Sequence, residues 1–247
     1  MNGDTEPRAK RWRHPNERPE NRAIYARDEA IWRRAAAQYA SGELIDIGCG
    51  EKPLLPLFAP YVDRYVGVDH AETEHDLRHA DIVGTAYAVP LPDASADTVV
   101  LSQVLEHLER PPAALSECLR LLRPGGHLLL ATPFFWQLHE EPRDFYRYSP
   151  HGLRYLLTEA GFEVLEVIPY CGAWLTVAVE VGYALRTFRG GRLDPIFLAA
   201  TSAVQRLGSW ADRRNFQPAF SAVHFAAARK PVALPVDEQY LQDAGRR

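Results

Sequence analysis

The chain has 247 residues, of which 47% are hydrophobic and 24% are charged. This balance supplies enough apolar side chains for a sizeable core, excludes a wholly disordered chain, and suits one α/β domain with additions or two small domains. The formal net charge of −4 gives no general attraction to nucleic acid, and we expect no nucleic-acid partner.

The N-terminal segment is basic, although the whole chain is not. We interpret this segment as a solvated lead-in, with an arm that faces phosphate or lipid as the sharper alternative. Three cysteines at wide spacing indicate no disulfide framework and suit a reducing compartment. The first residues are polar, and no apolar run reaches the roughly 18–20 residues that span a bilayer. We therefore expect a cytoplasmic protein without a signal peptide.

Strands and helices alternate along most of the chain. A helix is predicted over 21–40 and ends at Ser41-Gly42. Further helices are predicted for KPLLPLFAPY, RPPAALSECLRLLRPGG and SPHGLRYLLTEAG, the last with Ser149 as its cap and Pro150 in its first turn. Strands are predicted for ELIDIG, RYVGVD, HADIV, ADTVVLSQ, HLLLATP and FEVLEVIPY, with a final strand in AFSAVHFAAARKP. This alternation predicts a parallel sheet covered by helices on both faces.

The pattern changes after Tyr170, where two apolar helices are predicted over about 173–211, the second capped by Asp194. We divide the chain into an N-terminal arm and helix (1–42), a core (43–170 and 219–231), a helical insertion (171–218) and a tail (232–247). The first helix of the insertion is apolar nearly all round, so something must cover it. A lid over the acceptor site is our first interpretation. A homodimer face and a membrane-surface patch are the alternatives, and Glu180 argues against deep insertion into lipid.

The stretch LIDIGCGEKP marks the turn where the first strand feeds its helix. Gly48 and Gly50 let the backbone approach a ligand closely there, and Asp69 ends the next strand, where a carboxylate can take both hydroxyls of a ribose. A dinucleotide fold needs a third glycine where this chain has Pro53, and no lysine followed by serine or threonine marks a phosphate loop. The acid inside the first strand, Asp46, suits a cationic amino group or a hydrogen-bonded loop better than a pyrophosphate.

Together these residues resemble the class I S-adenosylmethionine-dependent methyltransferases, over about 44–167 and the last strand. The motifs that carry the resemblance are LIDIGCG, YVGVD, Asp81-Ile82, PLPDASADTVVLSQVLEHL and LRLLRPGGHLLLATP. The resemblance implies an α/β, Rossmann-like doubly wound sheet of seven strands, mostly parallel with an antiparallel last strand. It also implies S-adenosylmethionine as the cofactor.

By this resemblance, Gly48 and Gly50 pass under the methionine part of the cofactor, with the small side chain of Cys49 between them. Asp46 would hold the loop, and Asp69 would take the ribose hydroxyls. The alternative for Asp46 is to hydrogen-bond the loop alone, and a purely structural role is also the alternative for Asp69.

Four further residues receive cofactor roles from the resemblance. Asp81 would accept the adenine amino group with Ile82 against the ring, and Ser102 and Gln103 would lie near the methionine amino group and the donor methyl. A turn cap is the alternative for Asp81. One departure from the family pattern is Lys52, which stands where many members have a third glycine, so the helix start after the loop is less firmly predicted than the strand.

The stretch FFWQLHEEPRDFYRYSPHG after the fifth strand is dense in aromatic and ionisable residues, and is similar to stretches in bacterial members of this superfamily. We choose His139 as the general base, since imidazole titrates near neutral pH. Tyr146 and Tyr148 would orient the acceptor, and Arg147 would pair with an acidic group on it. The alternative is a structural latch, with Arg147 bonded to Asp144 or Glu140 and the tyrosines packed over the strand.

Two other groups of ionisable residues carry weaker signals. Glu106 and His107 are interpreted as an anchor for the loop after the fourth strand, with direct catalysis as the alternative. His70, His75 and His79 follow no established ligand spacing, so we expect a solvated helix there and no metal.

The sequence therefore predicts an S-adenosylmethionine-dependent methyltransferase that methylates a small-molecule or glycan-like acceptor, at oxygen. A nucleotide-dependent oxidoreductase or epimerase is the first rival, and a non-catalytic cofactor-binding scaffold is the second. Methyl transfer needs alignment of two reactants and exclusion of water, and a hydroxyl acceptor also needs a base.

Overall fold

A computed structural model describes residues 12, 14–73 and 76–232. Outside these residues lie most of the predicted tail, His75, and four basic residues of the N-terminal segment, namely Arg8, Lys10, Arg11 and Arg13. The helices are α1 (Arg22–Tyr39), α2 (Leu55–Phe58), α3 (Pro111–Leu121), α4 (Pro150–Glu159), α5 (Ala173–Arg186) and α6 (Asp194–Arg214). The strands are β1 (Glu43–Ile47), β2 (Arg64–Asp69), β3 (Ile82–Val83), β4 (Ala96–Ser102), β5 (Leu122–Pro133), β6 (Glu163–Pro169) and β7 (Val223–Arg229).

The seven strands form one sheet in the order β3-β2-β1-β4-β5-β7-β6. β1 pairs in parallel with β2 and β4, β2 with β3, and β4 with β5. β7 lies antiparallel between β5 and β6. The Rossmann-like fold with an antiparallel last strand is therefore confirmed. Because β1 sits where the strand order reverses, the turns after β1 and β4 open into the same crevice.

Helices cover both faces of the sheet, as the alternation of elements predicts. On one face α1, α2 and α5 bury Trp32, Phe58 and Leu175 against Phe225 of β7. On the other face, side chains of α3 and α4 pack against β1, β4 and β5, and they include Leu115, Leu121, Leu153 and Leu157. The strands accordingly read as apolar runs, because both of their faces are buried.

The structure corrects the predicted exit of α3. The helix ends at Leu121, and β5 begins at once, so the RPGG stretch belongs to the strand. The residue before Pro124 disfavours the helical conformation. β5 pairs with β4 at Leu122 and again at His127, and the residues between them form a bulge. Gly126 lies in this bulge, where an added Cβ would come within 2.9 Å of the Asp97 carbonyl.

Two smaller predictions are also corrected. Asp194 does not cap α6 through its side chain; its carboxylate accepts from the Gly190 amide at 2.7 Å, and it is itself the first residue of the helix. The segment after β2 forms turns and a short 3-10 helix at Leu77–His79, with no α-helix among its described residues. The predicted cap of α4 is confirmed, since Ser149 Oγ accepts from the Gly152 amide at 3.1 Å.

The insertion folds as a pair of helices that pack on each other and on α1. Asp212 of α6 is 2% exposed, and its carboxylate accepts from the Gly172, Trp174 and Leu175 amides at 2.7–3.3 Å, so it caps α5 from a neighbouring helix. Gly208 allows this close contact, since an added Cβ would lie 2.5 Å from that of Ala178. Neither these helices nor any other in the described part of the chain combines the length and the hydropathy needed to cross a membrane.

Candidate active site

A cavity of about 870 Å³ opens at the carboxyl ends of β1, β2 and β4. Its walls come from the turn after β1, the segments after β2 and β4, α1, and the loop 134–148 between β5 and α4. Its volume lies towards the upper end of the range for ligand pockets, so it has room for more than one reactant. This is the edge of an open parallel sheet at which ligands bind.

The glycine turn after β1 takes a left-handed backbone conformation at both of its glycines. Gly48 and Gly50 have φ angles of +73° and +48° and line the cavity. A Cβ on Gly48 would lie 2.5 Å from the Val104 side chain, so this glycine also allows the segment after β4 to approach. The Gly50 amide donates to Asp69 Oδ2 at 3.0 Å, which ties the turn to the end of β2.

Asp69 lies where a ribose-binding carboxylate is predicted. It is 5% exposed, lines the cavity, and accepts from the Gly50 and His70 amides. Asp46 also lines the cavity, but its carboxylate accepts from the Tyr65 hydroxyl at 2.5 Å. Burial raises the pKa of Asp46 to about 7. Burial likewise raises the pKa of the Cys49 thiol to about 12, so this residue is an inert, small side chain in the turn.

The region predicted to bracket the adenine is arranged differently. Lys52 has a φ of +54°, a left-handed conformation that costs about 1 kcal/mol for a residue with a side chain. Its Nζ donates to Asp81 Oδ2 at 2.6 Å, and the Gly67 amide donates to the same oxygen at 2.7 Å. Asp81 and Ile82 are not among the described residues that line the cavity, whereas Gly84, Thr85, Ala86 and Tyr87 are. Adenine contact by Asp81 and Ile82 remains a prediction that this geometry does not support.

Ser102 and Gln103 end β4 and line the cavity. Gln103 has a φ of +56°, which costs roughly 1–3 kcal/mol in a residue with a side chain. The backbone N–H of Gln103 donates to the Ala131 carbonyl at 2.9 Å, so the turn is fixed against β5. Strained backbone of this kind tends to occur at functional sites.

Three of the four predicted catalytic residues hold the loop 134–148 in place. The Arg147 guanidinium donates to both oxygens of Asp144, at 2.6 and 2.7 Å, and to the carbonyls of Trp136, Gln137 and Tyr146. These five acceptors match the five N–H donors of the side chain. Arg147 therefore has no donor left for an acidic group on an acceptor, and the geometry favours the latch.

The two tyrosines share this structural role. Tyr148 is 6% exposed and donates to the Leu105 carbonyl at 3.1 Å, while Tyr146 donates to the Glu109 carbonyl at 3.3 Å. Neither is among the described residues that line the cavity. Both connect the loop to the segment after β4.

His139, the fourth predicted residue, does line the cavity, and it lies in a cluster with Glu106 and His107. The Nε2 atoms of both histidines lie 3.9 Å from Glu106 Oε1, and their rings stand edge to face at 4.8 Å. Burial and the nearby His107 lower the pKa of His139, so its imidazole is neutral at neutral pH. Burial raises the pKa of Glu106 to about 8. Its backbone carbonyl accepts from the Phe145 amide, so Glu106 anchors the loop 134–148, whereas the sequence predicts an anchor for the loop after β4.

Sequence reasoning missed the far wall of the cavity. Tyr25 and Asp28 of α1 line it together with Trp136 and Tyr170. Asp28 accepts from the Trp32 indole at 2.9 Å, and burial raises its pKa to about 7. The sequence offers only one signal for this wall, which is Asp28 among the apolar residues of a helix before the first strand. Any surface helix shows the same pattern, so it does not indicate a site.

The helical insertion does not cover this cavity. None of the described residues of 171–218 lines it. The insertion instead supports the wall from behind, because Tyr183 of α5 packs edge to face on Trp136 at 5.6 Å. The exposed face of the insertion carries large apolar side chains, which include Trp174, Val177, Phe188, Ile196, Leu207 and Trp210. The geometry therefore favours support of the cavity wall over the predicted lid, and the membrane-surface and homodimer alternatives remain.

Comparisons with known proteins agree with this geometry. A protein from Mycolicibacterium smegmatis named "Probable S-adenosylmethionine-dependent methyltransferase" is 34% identical over 58% of this chain, and the match spans 61% of that protein's length. The ubiquinone/menaquinone biosynthesis C-methyltransferase UbiE of Rubrivivax gelatinosus is 28% identical over 81% of this chain and 70% of its own. The solved structure of a SAM-dependent methyltransferase from Archaeoglobus fulgidus has a TM-score of 0.56 over 85% of this chain and 97% of its own, at 19% identity.

The family model described as "Methyltransferase domain" matches residues 20–167, which is more than half of the chain. The match includes α1, the glycine turn, β2, β4, the loop 134–148 and β6. The chain belongs to this methyltransferase domain family, within the class I S-adenosylmethionine-dependent superfamily.

Proposed function

We propose that the protein transfers a methyl group from S-adenosylmethionine to a hydroxyl oxygen of a small-molecule or glycan-like acceptor. The observation that carries the proposal is one continuous cavity that joins the glycine turn to a cluster of ionisable side chains. Asp69 and Gly48 lie in its cofactor half, and His139 and Asp28 lie in its other half. Two reactants held in one cavity satisfy the main requirement of an in-line displacement.

The cofactor half fits an adenosine-containing ligand. Asp69 presents a buried carboxylate at the end of β2, and its backbone partners, the Gly50 and His70 amides, fix it in place. Each carboxylate oxygen accepts one backbone bond and has a further lone pair for a ribose hydroxyl. S-adenosylmethionine supplies a methyl group that its sulfonium charge already activates.

The acceptor half would position a hydroxyl and receive its proton. The acceptor oxygen forms a bond to the methyl carbon, the carbon–sulfur bond breaks, and the sulfur keeps that electron pair as the sulfonium is neutralised. The hydroxyl proton must leave, and the two histidines of the Glu106–His107–His139 cluster line this half of the cavity. Trp136 and Tyr170 would exclude water from the reacting oxygen.

A carbon acceptor is the second candidate, because UbiE of Rubrivivax gelatinosus is named a C-methyltransferase and matches 81% of this chain. We favour oxygen because the neutral imidazole of His139 provides the proton acceptor that a hydroxyl requires. A non-catalytic scaffold would retain the cofactor half without turnover at the cluster.

Two measurements test this proposal. Calorimetry of the full chain should show binding of S-adenosylhomocysteine and no comparable binding of a nicotinamide dinucleotide; the reverse result refutes the methyltransferase assignment. Incubation with ¹³C-methyl-labelled S-adenosylmethionine and a panel of hydroxylated small molecules and glycosides should then give a methoxy signal by NMR. A labelled methyl on carbon or nitrogen would refute the choice of oxygen, and cofactor binding without transfer to any compound class in a cell extract would favour the scaffold.

A further inference from the structure

The Glu106–His107–His139 cluster combines two imidazoles that line the cavity with one buried carboxyl group that does not. One ligand atom from each residue lies within 4.8 Å of the other two. The three residues come from two separate segments, the one after β4 and the loop 134–148. Their convergence therefore depends on the fold and not on local spacing.

Both imidazoles are oriented through their other nitrogen. His107 Nδ1 lies 2.7 Å from the Arg143 carbonyl, which can only accept, so Nδ1 carries the proton. His139 Nδ1 lies 3.3 Å from Asp144 Oδ2 and 3.3 Å from the Gln137 carbonyl, so it also donates. Each Nε2 therefore presents its lone pair, and both point at Glu106 Oε1. A carbonyl or carboxylate on the far nitrogen is the arrangement that accompanies metal-binding histidines.

Glu106 provides an independent observation. The residue is 0% exposed, and neither of its carboxylate oxygens has a hydrogen-bond partner among the described residues. Burying a carboxylate without a partner is expensive. The nearest side-chain cation of the loop, Arg147, is committed to Asp144 and to backbone carbonyls. At 3.9 Å, neither imidazole Nε2 lies within hydrogen-bond distance of Glu106 Oε1, whereas a cation between the three groups would bind all of them.

We propose that Glu106, His107 and His139 bind a divalent first-row transition cation of the zinc, manganese or iron(II) class. Imidazole nitrogen and carboxylate oxygen suit these ions, at bond lengths of about 2.0–2.2 Å for zinc. Ligand atoms around such an ion lie about 3.0–3.5 Å apart, so the two 3.9 Å separations from Glu106 must close by less than 1 Å. The ligand atoms of the two imidazoles, which lie within 4.8 Å of each other, must close by up to about 1.8 Å. Glu140 Oε2 lies 3.7 Å from His107 Nε2 on an exposed side chain and can join as an outer ligand.

This site would deepen the proposed function, on which its catalytic role rests. Three protein ligands leave a coordination position open to the cavity, which a hydroxyl oxygen of the acceptor would fill. Coordination lowers the pKa of a bound hydroxyl, so the proton can leave to water before the oxygen attacks the methyl carbon. His139 would then hold the cation, because a lone pair that binds a metal cannot also accept a proton. This role replaces the general base and the absence of metal that the sequence predicts.

The test uses the untagged full chain, stripped with a chelator and titrated with Co²⁺ while its visible absorption is followed. We expect one equivalent to bind, with competition by Zn²⁺. Glu106→Gln and His139→Ala each remove a direct ligand, so each should weaken Co²⁺ binding by more than about 100-fold, the upper end of what loss of an outer partner alone costs. His151→Ala, at an exposed histidine on α4, should leave it unchanged. Equal Co²⁺ affinity in all four proteins, or no binding by the wild type, overturns the inference.

Two further measurements separate the possible failures. S-adenosylhomocysteine calorimetry on the same samples checks that each variant retains a folded cofactor half. Cofactor binding without Co²⁺ binding overturns the metal site and leaves the methyltransferase proposal intact, whereas Co²⁺ binding without cofactor binding does the opposite. If the variants do not fold, crystals of the wild type soaked in Zn²⁺ decide: an anomalous peak among the three side chains supports the site, and its absence there overturns it.

Discussion

Asp69→Asn should weaken cofactor binding much more than the isosteric change at Asp81. The Asp69 carboxylate is 5% exposed and borders the cavity, and its oxygens accept from the Gly50 and His70 amides at 3.0 and 2.8 Å. Asparagine keeps one acceptor oxygen and turns an NH₂ group towards one of these amides. A hydrogen bond to a charged group contributes about 1.5–3 kcal/mol. We therefore expect a loss of about 2–3 kcal/mol in S-adenosylhomocysteine binding, or about 30- to 150-fold in Kd.

Asp81→Asn is the matched control, because the sequence assigns Asp81 to the adenine while the structure engages it elsewhere. Its side chain is 47% exposed and accepts from Lys52 Nζ and the Gly67 amide. The exposed ion pair contributes about 0–1 kcal/mol to stability. We expect Asp81→Asn to change the Kd by less than about threefold, whereas loss of an adenine hydrogen bond would cost about tenfold.

Calorimetry with S-adenosylhomocysteine measures both constants, and urea unfolding of each variant checks that the protein remains folded at the assay temperature. Equal losses in the two variants would show that Asp81 contacts the cofactor and that the cavity has been assigned to the wrong side of β3. An unchanged Kd in Asp69→Asn would refute the placement of the ribose at the end of β2.

Three other changes test the framework around the site. Asp212→Asn should lower the free energy of unfolding by about 1–3 kcal/mol in urea denaturation, because the buried carboxylate caps α5 through three amides. Asp194→Asn, at a half-buried carboxylate that accepts from the Gly190 amide, should change it by less than about 1 kcal/mol; equal effects would refute the cap. Burial lowers the pKa of His224 from 6.5 to about 4, so the unfolded chain binds more protons than the folded protein between these two pH values. The free energy of unfolding should therefore fall by up to about 3 kcal/mol as the pH drops through this window. A pH series of urea midpoints on which His224→Phe has no effect would contradict this. Arg147→Gln should lower the free energy of unfolding by about 1–3 kcal/mol while S-adenosylhomocysteine affinity by calorimetry stays within about threefold; lost cofactor affinity with unchanged stability would refute the latch.

The sheet could be predicted from the sequence because its strands carry a strong local signal. Runs such as LIDI and TVVL are largely apolar on both faces, and Gly48 ends the first of them. The position of β7 between β5 and β6 has no such signal, and only the family resemblance provided its antiparallel direction. The bulge at Gly126 was missed because RPGG after a helix also fits an ordinary helix end.

The positions of the predicted cofactor residues follow from the sequence more directly than those of the acceptor half, for a physical reason. Gly48, Gly50 and Asp69 lie at strand ends, where the sheet fixes their positions. The residues of the loop 134–148 could form either a site or an ion-pair network, and the two have the same composition. Only the count of acceptors around Arg147 distinguishes them. Likewise, Glu106 and His139 are 33 positions apart in the sequence, and nothing local indicates that they meet.

Different elements hold the two halves of the cavity in place: the sheet positions the cofactor half, and the insertion supports the acceptor half. α6 reaches the acceptor half through Gln205, which is 4% exposed, accepts from the Ala23 amide at 3.0 Å and donates to the Pro19 carbonyl at 2.7 Å. Gln205→Leu breaks both bonds at the start of α1, the helix that brings Asp28 to the wall, and leaves a buried amide and carbonyl unpaired at about 1–3 kcal/mol each.

Hydrogen exchange should therefore show faster exchange in the first turns of α1, while calorimetry finds S-adenosylhomocysteine affinity unchanged within about twofold. Gln38→Leu provides the control, since Gln38 is exposed on the same helix and accepts only from Arg34, at 3.3 Å, among its described contacts. If α1 exchanges no faster in Gln205→Leu than in Gln38→Leu, the insertion does not hold the acceptor wall. If cofactor affinity falls together with α1 protection, the two halves form one cooperative unit. Separate behaviour would mean that the insertion can vary the acceptor wall while the sheet continues to hold the cofactor.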